Sequence, residues 1–224
     1  MIHSSVIIDP SANLHPSVTV GPWSIIGPDV FIGEGSTIAS HCVIKGPTTI
    51  GKRCEIYQFS TIGEATPDLK YQNEPTTLTI GDDNIFREGV TIHRGTVQDR
   101  GDTLIGNHNL LMAYVHVAHD CIVKDKVILA NGVQLGGHVE IGYHATVGGM
   151  SPVHQFCKVG DHAFIGGRRI ALKDVPPYIL ATGEPLQYAG INSVGLRRRK
   201  FSLDVRNNIK KAYRFIYRLS LIHI

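Results

Sequence analysis

Leucine is scarce in this chain. Its 224 residues include 15 Leu against 26 Ile and 19 Val, although Leu is among the commonest residues of ordinary domains. Stiff β-branched aliphatics suit an extended backbone, which excludes a helix bundle as the main architecture. Charge is thin as well, at 18% of residues against a usual ~25%. With 42% hydrophobic residues and a net charge of only +3, the chain is not disordered. No run approaches 18 apolar residues, so stable membrane insertion is not expected. The first ten residues, MIHSSVIIDP, lack a basic segment and a long apolar stretch. No secretory leader is therefore expected, and the cytoplasm is the expected compartment. There are four cysteines and no CxxC, which argues against a disulfide framework or a thiolate metal site.

What the chain has is a period of six. From Ile8, every sixth residue to Ile62 is aliphatic. The phase resumes at Ile80, Phe86 and Ile92, slips by one, and runs from Ile105 to Ile165. Of these 24 hexads, all begin with an apolar residue, and Gly follows immediately in 12. The fifth position is Ala, Val, Ser, Thr or Cys in 21; Asn84, Asn109 and Arg169 are the exceptions. A large and a small inward residue every six positions is the pattern of a parallel β-helix. The predicted fold is all-β: about eight triangular coils, stacked over roughly 38 Å at ~4.8 Å per rung. The hexapeptide-repeat proteins this pattern resembles have left-handed coils. Cys42, Cys54, Cys121 and Cys157 all occupy fifth positions and read as small core residues.

Two stretches break the phase, near 64–79 and 98–104, and are expected to be loops on the rigid coil. The repeat decays after Ala171. The DVPPY segment (174–178) is expected to end it, since Pro cannot donate to a ladder. The expected division is a β-helix over 1–176 and an extension over 177–224, helical from about 202 behind a Ser202 cap. Val205, Ile209, Ala212, Tyr213 and Ile216 follow helical spacing. A lone terminal helix makes a poor domain, so the extension reads as truncated at its final LSLIHI. Residues 197–218 hold nine Lys or Arg and one acid, Asp204. The remainder holds 13 basic and 18 acidic residues. A basic tail on an acidic body implies an anionic partner. Nucleic acid is not expected, because no recognisable module and few aromatics accompany the charge.

Seven of the twelve histidines lie between residues 93 and 154. Residues 18 apart stack on adjacent coils. This spacing gathers His93, His119, Gly137 with His138, and His154 with Gln155 on one face, with His116 at its edge. Imidazole is the natural general base near neutrality. Gly137 lies one rung from His119 and can offer a bare backbone N–H to an oxyanion. Base plus oxyanion donor describes acyl transfer by direct attack, since no Ser or Cys stands out as a nucleophile. Asp120 could orient His119, although adjacent strand residues point apart.

Several further stretches carry a resemblance: EIYQFSTIGE (55–64), TIHRGT (91–96), HVAHDC (116–121), GGHV (136–139), VHQFC (153–157) and GINSVGLRRRKFS (190–202). They make the chain similar to the UDP-N-acetylglucosamine acyltransferases that begin lipid A synthesis. The resemblance implies a homotrimer with sites between subunits. It implies transfer of a 3-hydroxyacyl chain from acyl carrier protein to the glucosamine 3-hydroxyl of UDP-N-acetylglucosamine. No metal or other cofactor is implied, because the phosphopantetheine arrives on the carrier protein. His119 corresponds to the general base and Gly137 to the oxyanion donor. Asp68, Lys70, His93, His116, His138 and Gln155 correspond to substrate contacts. Gly167 corresponds to the acyl-chain ruler, and Asn192, Arg198 and Arg199 to nucleotide contacts. The acidic carrier protein would suit the basic tail.

Three features depart from the family pattern: Val194 where an acid is expected, Arg168 and Arg169 where small residues are usual, and the short tail. Three alternatives belong to other classes. One is a sugar-nucleotide N-acyltransferase, which would carry a further N-terminal domain before its repeats. Another is a zinc hydratase of the same fold, disfavoured because no His-x4-His occurs. The last is a non-catalytic scaffold.

Overall fold

The computed structural model describes residues 1–219; the final SLIHI lies outside them. Two- to five-residue strands recur along the chain and assemble into three sheets of eight, eight and ten strands. Pairing is parallel throughout, apart from Ile179–Thr182 against Gln187–Ile191. The first sheet runs from Ile7–Ile8 to Pro152–Val153, the second from Asn13–Leu14 to Lys158–Val159. The third begins at Thr19–Val20 and ends on that antiparallel pair. Ile8 pairs with Ile26, Leu14 with Ile32 and Val20 with Ile38, each 18 positions on. Three hexads therefore close one coil, as the period predicts.

The first hexad position points inward: Ile26, Ile44, Ile62, Phe86, Leu111 and Leu129 are all nearly or wholly inaccessible. The fourth position turns the corner with a left-handed backbone. Trp23 has φ 59°, His41 57°, Asp120 58° and His138 62°. A non-glycine residue there costs roughly 1–2 kcal/mol, a price the stacked ladder outweighs. The cysteines are unpaired and buried, and burial pushes the Cys121 thiol up to about 12.

Asn84 and Asn109 fill fifth positions with polar groups yet are buried. The Asn84 side-chain carbonyl accepts from the Asn109 N–H at 2.9 Å, and its amide donates to Gly81 O and Gly106 O. The Asn109 carbonyl accepts from the Val127 N–H at 2.7 Å. The two amides thus bridge adjacent rungs, as the Ser24 and Ser36 hydroxyls do at the same position of other coils. Asn84→Ala is expected to cost about 2 kcal/mol by stranding the buried Asn109 N–H and leaving Gly106 O without its donor, read as a lowered thermal or denaturant midpoint.

Both loops leave the same edge, between the first and second sheets. Ile62 pairs with Ile92, 30 positions on, and Ile92 with Val117, 25 positions on. The loops occupy 65–76 and 94–101. The first is shorter than the expected 64–79 and the second begins and ends earlier than the expected 98–104, because Thr77–Ile80 and Asp102–Ile105 are strands paired with each other.

The coil also runs past its predicted end. Val159 bridges Val175, and Phe164–Ile165 pairs with Leu180–Ala181. The prolines do not break the ladder because they fall at a corner. The Val175 N–H and carbonyl make the rung contacts, to Lys158 O and from Gly160 N. A ninth, partial coil thus reaches Thr182. Helix begins earlier than expected, at α1 (Ser193–Arg198), followed by α2 (Leu203–Arg214) and a π-helical turn, Phe215–Leu219. Ser202 caps α2 as predicted. Among the described residues, no helix is long and apolar enough to cross a membrane.

Candidate active site

The histidine column forms along the edge from which both loops emerge. His119 and Asp120 sit at its corner, where the left-handed backbone of Asp120 breaks strand alternation and turns both side chains the same way. The expectation that they point apart fails for that reason. His119 Nδ1 donates to Asp120 Oδ2 at 2.8 Å, which leaves Nε2 as the lone-pair nitrogen. The Asp120 carboxylate is wholly inaccessible. It accepts from the Thr96 N–H at 3.0 Å and the Thr96 hydroxyl at 2.7 Å, while its own N–H donates to Thr103 Oγ1. Burial alone would push this carboxyl up, but the hydrogen bonds from His119 and Thr96 outweigh it and hold the group below the usual range. Asp120 is therefore ionised at neutral pH, which is the form that orients a general base.

Gly137 lies directly against this pair. A Cβ placed there would meet His119 Cε1 at 2.6 Å and Nε2 at 2.7 Å, so the imidazole rests where a larger residue would displace it. The neighbouring Gly136 and His138 N–H groups donate to Val153 O and His119 O. Among the described residues, the Gly137 N–H has no such acceptor.

His138 stands edge-on to His119 with ring centroids 5.1 Å apart, and stacks on Phe156 at 4.4 Å. His93 and His116 meet edge-on at 4.9 Å, and His116 Nδ1 is 2.8 Å from Thr91 Oγ1. Burial first, and then the neighbouring His116, lowers His93 to about 4; burial and His119 lower His116. Both rings are neutral near pH 7. Gln155 is exposed on the next rung. Asp68 and Lys70 lie on the 65–76 loop, where the Lys70 N–H donates to the Asp68 carboxylate.

The remaining predicted residues lie on other edges. Gly167 is exposed between the third and first sheets, beside Gly149. Asn192, Arg198 and Arg199 lie on or beside α1, at the edge between the second and third sheets. Asn192 is buried; its amide donates to His162 O and accepts from the Gly195 N–H, capping α1. Arg199 Nη1 is 3.3 Å from His162 Nδ1, and Arg198 faces solvent. His119, Asp120 and His138 place possible metal donors within 4.8 Å of one another. The 2.8 Å His119–Asp120 contact is shorter than the roughly 3.3 Å between ligands of a tetrahedral zinc with bonds near 2.0 Å. It is the spacing of a hydrogen bond that orients the ring. A cavity of about 1050 Å³ lies between the last coil and α2, lined by Ile179, Leu186, Tyr188 and Tyr213, and holds none of the predicted residues.

Sequence reasoning missed Asp99, Thr103 and Phe156, and read Thr96 as a small core filler. The one signal for Thr96 and Asp99 was the phase slip beside them.

Comparison with known proteins places this geometry. The second-domain model of UDP-N-acetylglucosamine O-acyltransferases matches residues 174–223, and the bacterial transferase hexapeptide model matches 29–64 and 102–137. An acyl-[acyl-carrier-protein]--UDP-N-acetylglucosamine O-acyltransferase of Thiobacillus denitrificans is 52% identical over 155 residues, which are 69% of this chain and 60% of the relative. The corresponding enzyme of Stutzerimonas stutzeri is 54% identical over 158 residues, 70% of this chain and 61% of that one. The matched stretch thus spans about 60% of the curated relatives' length. Among solved structures, LpxA from Acinetobacter baumannii aligns with a TM-score of 0.95 at 50% identity, covering 97% of this chain and 84% of that one. The Francisella novicida UDP-N-acetylglucosamine acyltransferase aligns at 0.96 and 42% identity, over 97% and 80%. With its left-handed parallel β-helix and this identity over most of a solved relative, the chain belongs to the UDP-N-acetylglucosamine O-acyltransferase family.

Proposed function

We propose that the chain transfers a 3-hydroxyacyl group from acyl carrier protein to the glucosamine 3-hydroxyl of UDP-N-acetylglucosamine, the first step of lipid A biosynthesis, in the cytoplasm. The observation that carries this reading is the buried Asp120–His119 pair with Gly137 against it. His119 Nε2 takes the proton of the 3-hydroxyl as its oxygen attacks the thioester carbonyl. The Gly137 N–H donates to the oxyanion that forms. Collapse breaks the C–S bond, and the phosphopantetheine sulfur leaves as a thiol with the proton returned by His119. No covalent enzyme intermediate is needed, and the chain's own residues supply every proton transfer.

The candidate residues occupy three edges of one prism, and a site drawing on all of them requires neighbouring copies. This supports a homotrimer in which one chain supplies His119 and others supply Gly167 and the Arg198 region. Nine basic residues between 197 and 218 suit the acidic carrier protein.

The test offers 3-hydroxyacyl carrier proteins of graded length with UDP-N-acetylglucosamine and measures acylated sugar nucleotide. Turnover at one preferred length is expected; no product at any length would overturn the reading. A Cβ at Gly167 meets nothing closer than Gly149 O at 3.4 Å, so a side chain fits there without unfolding the coil. Gly167→Met is expected to move the preference to a shorter chain in the same assay, with melting temperature unchanged.

A further inference from the structure

The 94–101 loop reaches three separate groups. Arg94 donates to Gly46 O, to Gly63 O at 2.9 Å and to the Tyr71 hydroxyl at 3.3 Å, and so holds the 65–76 loop that carries Asp68 and Lys70. Thr96 holds the Asp120 carboxylate. Asp99 reaches His138, with Oδ2 at 2.8 Å from Nδ1. The first two contacts belong to the base and the loop already described. The third has no role in either.

A histidine ring held only by stacking can turn over, exchanging its donor and acceptor nitrogens. His138 lies within 10° of parallel to Phe156, which fixes the plane of the ring but not which nitrogen faces His119 and Asp120. An acceptor at Nδ1 fixes that as well. His138 Nε2 is then 4.0 Å from Asp120 Oδ2, too far for a hydrogen bond between them, and stands beside the base. Taking the acyl-transfer reading as its basis, we infer that Asp99 is a positioning residue for His138. It locks the Nδ1–H tautomer so that Nε2 meets the acyl acceptor next to His119.

The Asp99 side chain is 40% exposed, and exposed ion pairs add little to stability. Removing it therefore shows in turnover rather than in folding. Asp99→Ala is expected to lower kcat/KM for UDP-N-acetylglucosamine about tenfold, with melting temperature and KM for the acyl carrier protein unchanged. Asp99→Asn keeps a carbonyl acceptor and is expected to stay within about threefold of the parent. In a His138→Asn background, Asp99→Ala is expected to cost nothing further. Nitrogen-15 spectra of the imidazoles are expected to show His138 protonated at Nδ1 in the parent and a tautomer mixture in Asp99→Ala. Equal losses for Asn and Ala, a full loss persisting without His138, or an unchanged tautomer would each overturn the assignment. A parent protein that transfers no acyl group overturns the proposed reaction instead, and the spectra then decide the role of Asp99 without reference to turnover.

Discussion

His119→Ala is expected to lower turnover by about 10²–10⁴-fold, the usual contribution of a positioned general base, while the chain keeps its fold and assembly. The separation follows from where the residue sits. His119 lies at a corner, outside the row of inward side chains, so its truncation opens no cavity in the stacked core. Its partner is not stranded either, because both Thr96 donors still satisfy the buried Asp120 carboxylate. A buried charge left wholly unpaired would cost several kcal/mol; this one keeps an N–H and a hydroxyl. Single-turnover transfer from acyl carrier protein, with size-exclusion chromatography and thermal melting alongside, separates chemistry from folding. Near-normal turnover in His119→Ala would remove it as the base and pass that role to another neutral imidazole of the column, such as His116. A collapse of the assembly would instead make it a structural residue.

Much of this arrangement was legible in the residues, because the period of six leaves little freedom. Once Ile8 and its successors point inward, rungs 18 apart must stack, and His119 must face Gly137. Both loops were legible as failures of phase, though their bounds were not: Thr77–Thr79 and Asp102–Leu104 read as loop yet pair fully. Three things were illegible for physical reasons. The end of the coil was drawn at Pro176 and Pro177, but a proline interrupts a ladder only where a rung needs its N–H, and these two fall at a corner. α1 was missed because SVGLRR has a glycine and a β-branched residue at its centre, and its start depends on the buried Asn192 amide. The Asp120–His119 pair was obscured because strand alternation was applied to a corner. The left-handed φ of 58° at Asp120, shared by the fourth position of hexad after hexad, aims adjacent side chains together. That geometry belongs to the turn, and a residue's type reports it only weakly.

Gly137→Ala tests the other half of the mechanism, and its expected effect is a loss of about 10²–10³-fold in kcat with little change in stability. Gly137 is not among the residues with a left-handed backbone, so alanine carries no conformational penalty there. What it meets is the imidazole: the added methyl would lie 2.6 Å from Cε1 and 2.7 Å from Nε2, well inside van der Waals contact. One of two things must give. If the ring moves, His119 Nδ1 leaves Asp120 Oδ2 and the base loses its orientation. If the backbone moves, the Gly137 N–H leaves the position where an oxyanion forms, and the Phe156 N–H to Gly137 O bond, now 3.0 Å, lengthens with it. Either displacement separates base from oxyanion donor, so both routes lead to the same kinetic result. They differ spectroscopically, since only the first alters the His119 Nδ1 signal. Retention of kcat within about threefold would show that the ring and the glycine need not touch. The glycine would then be a spacer, and the oxyanion donor would have to be sought elsewhere on the edge.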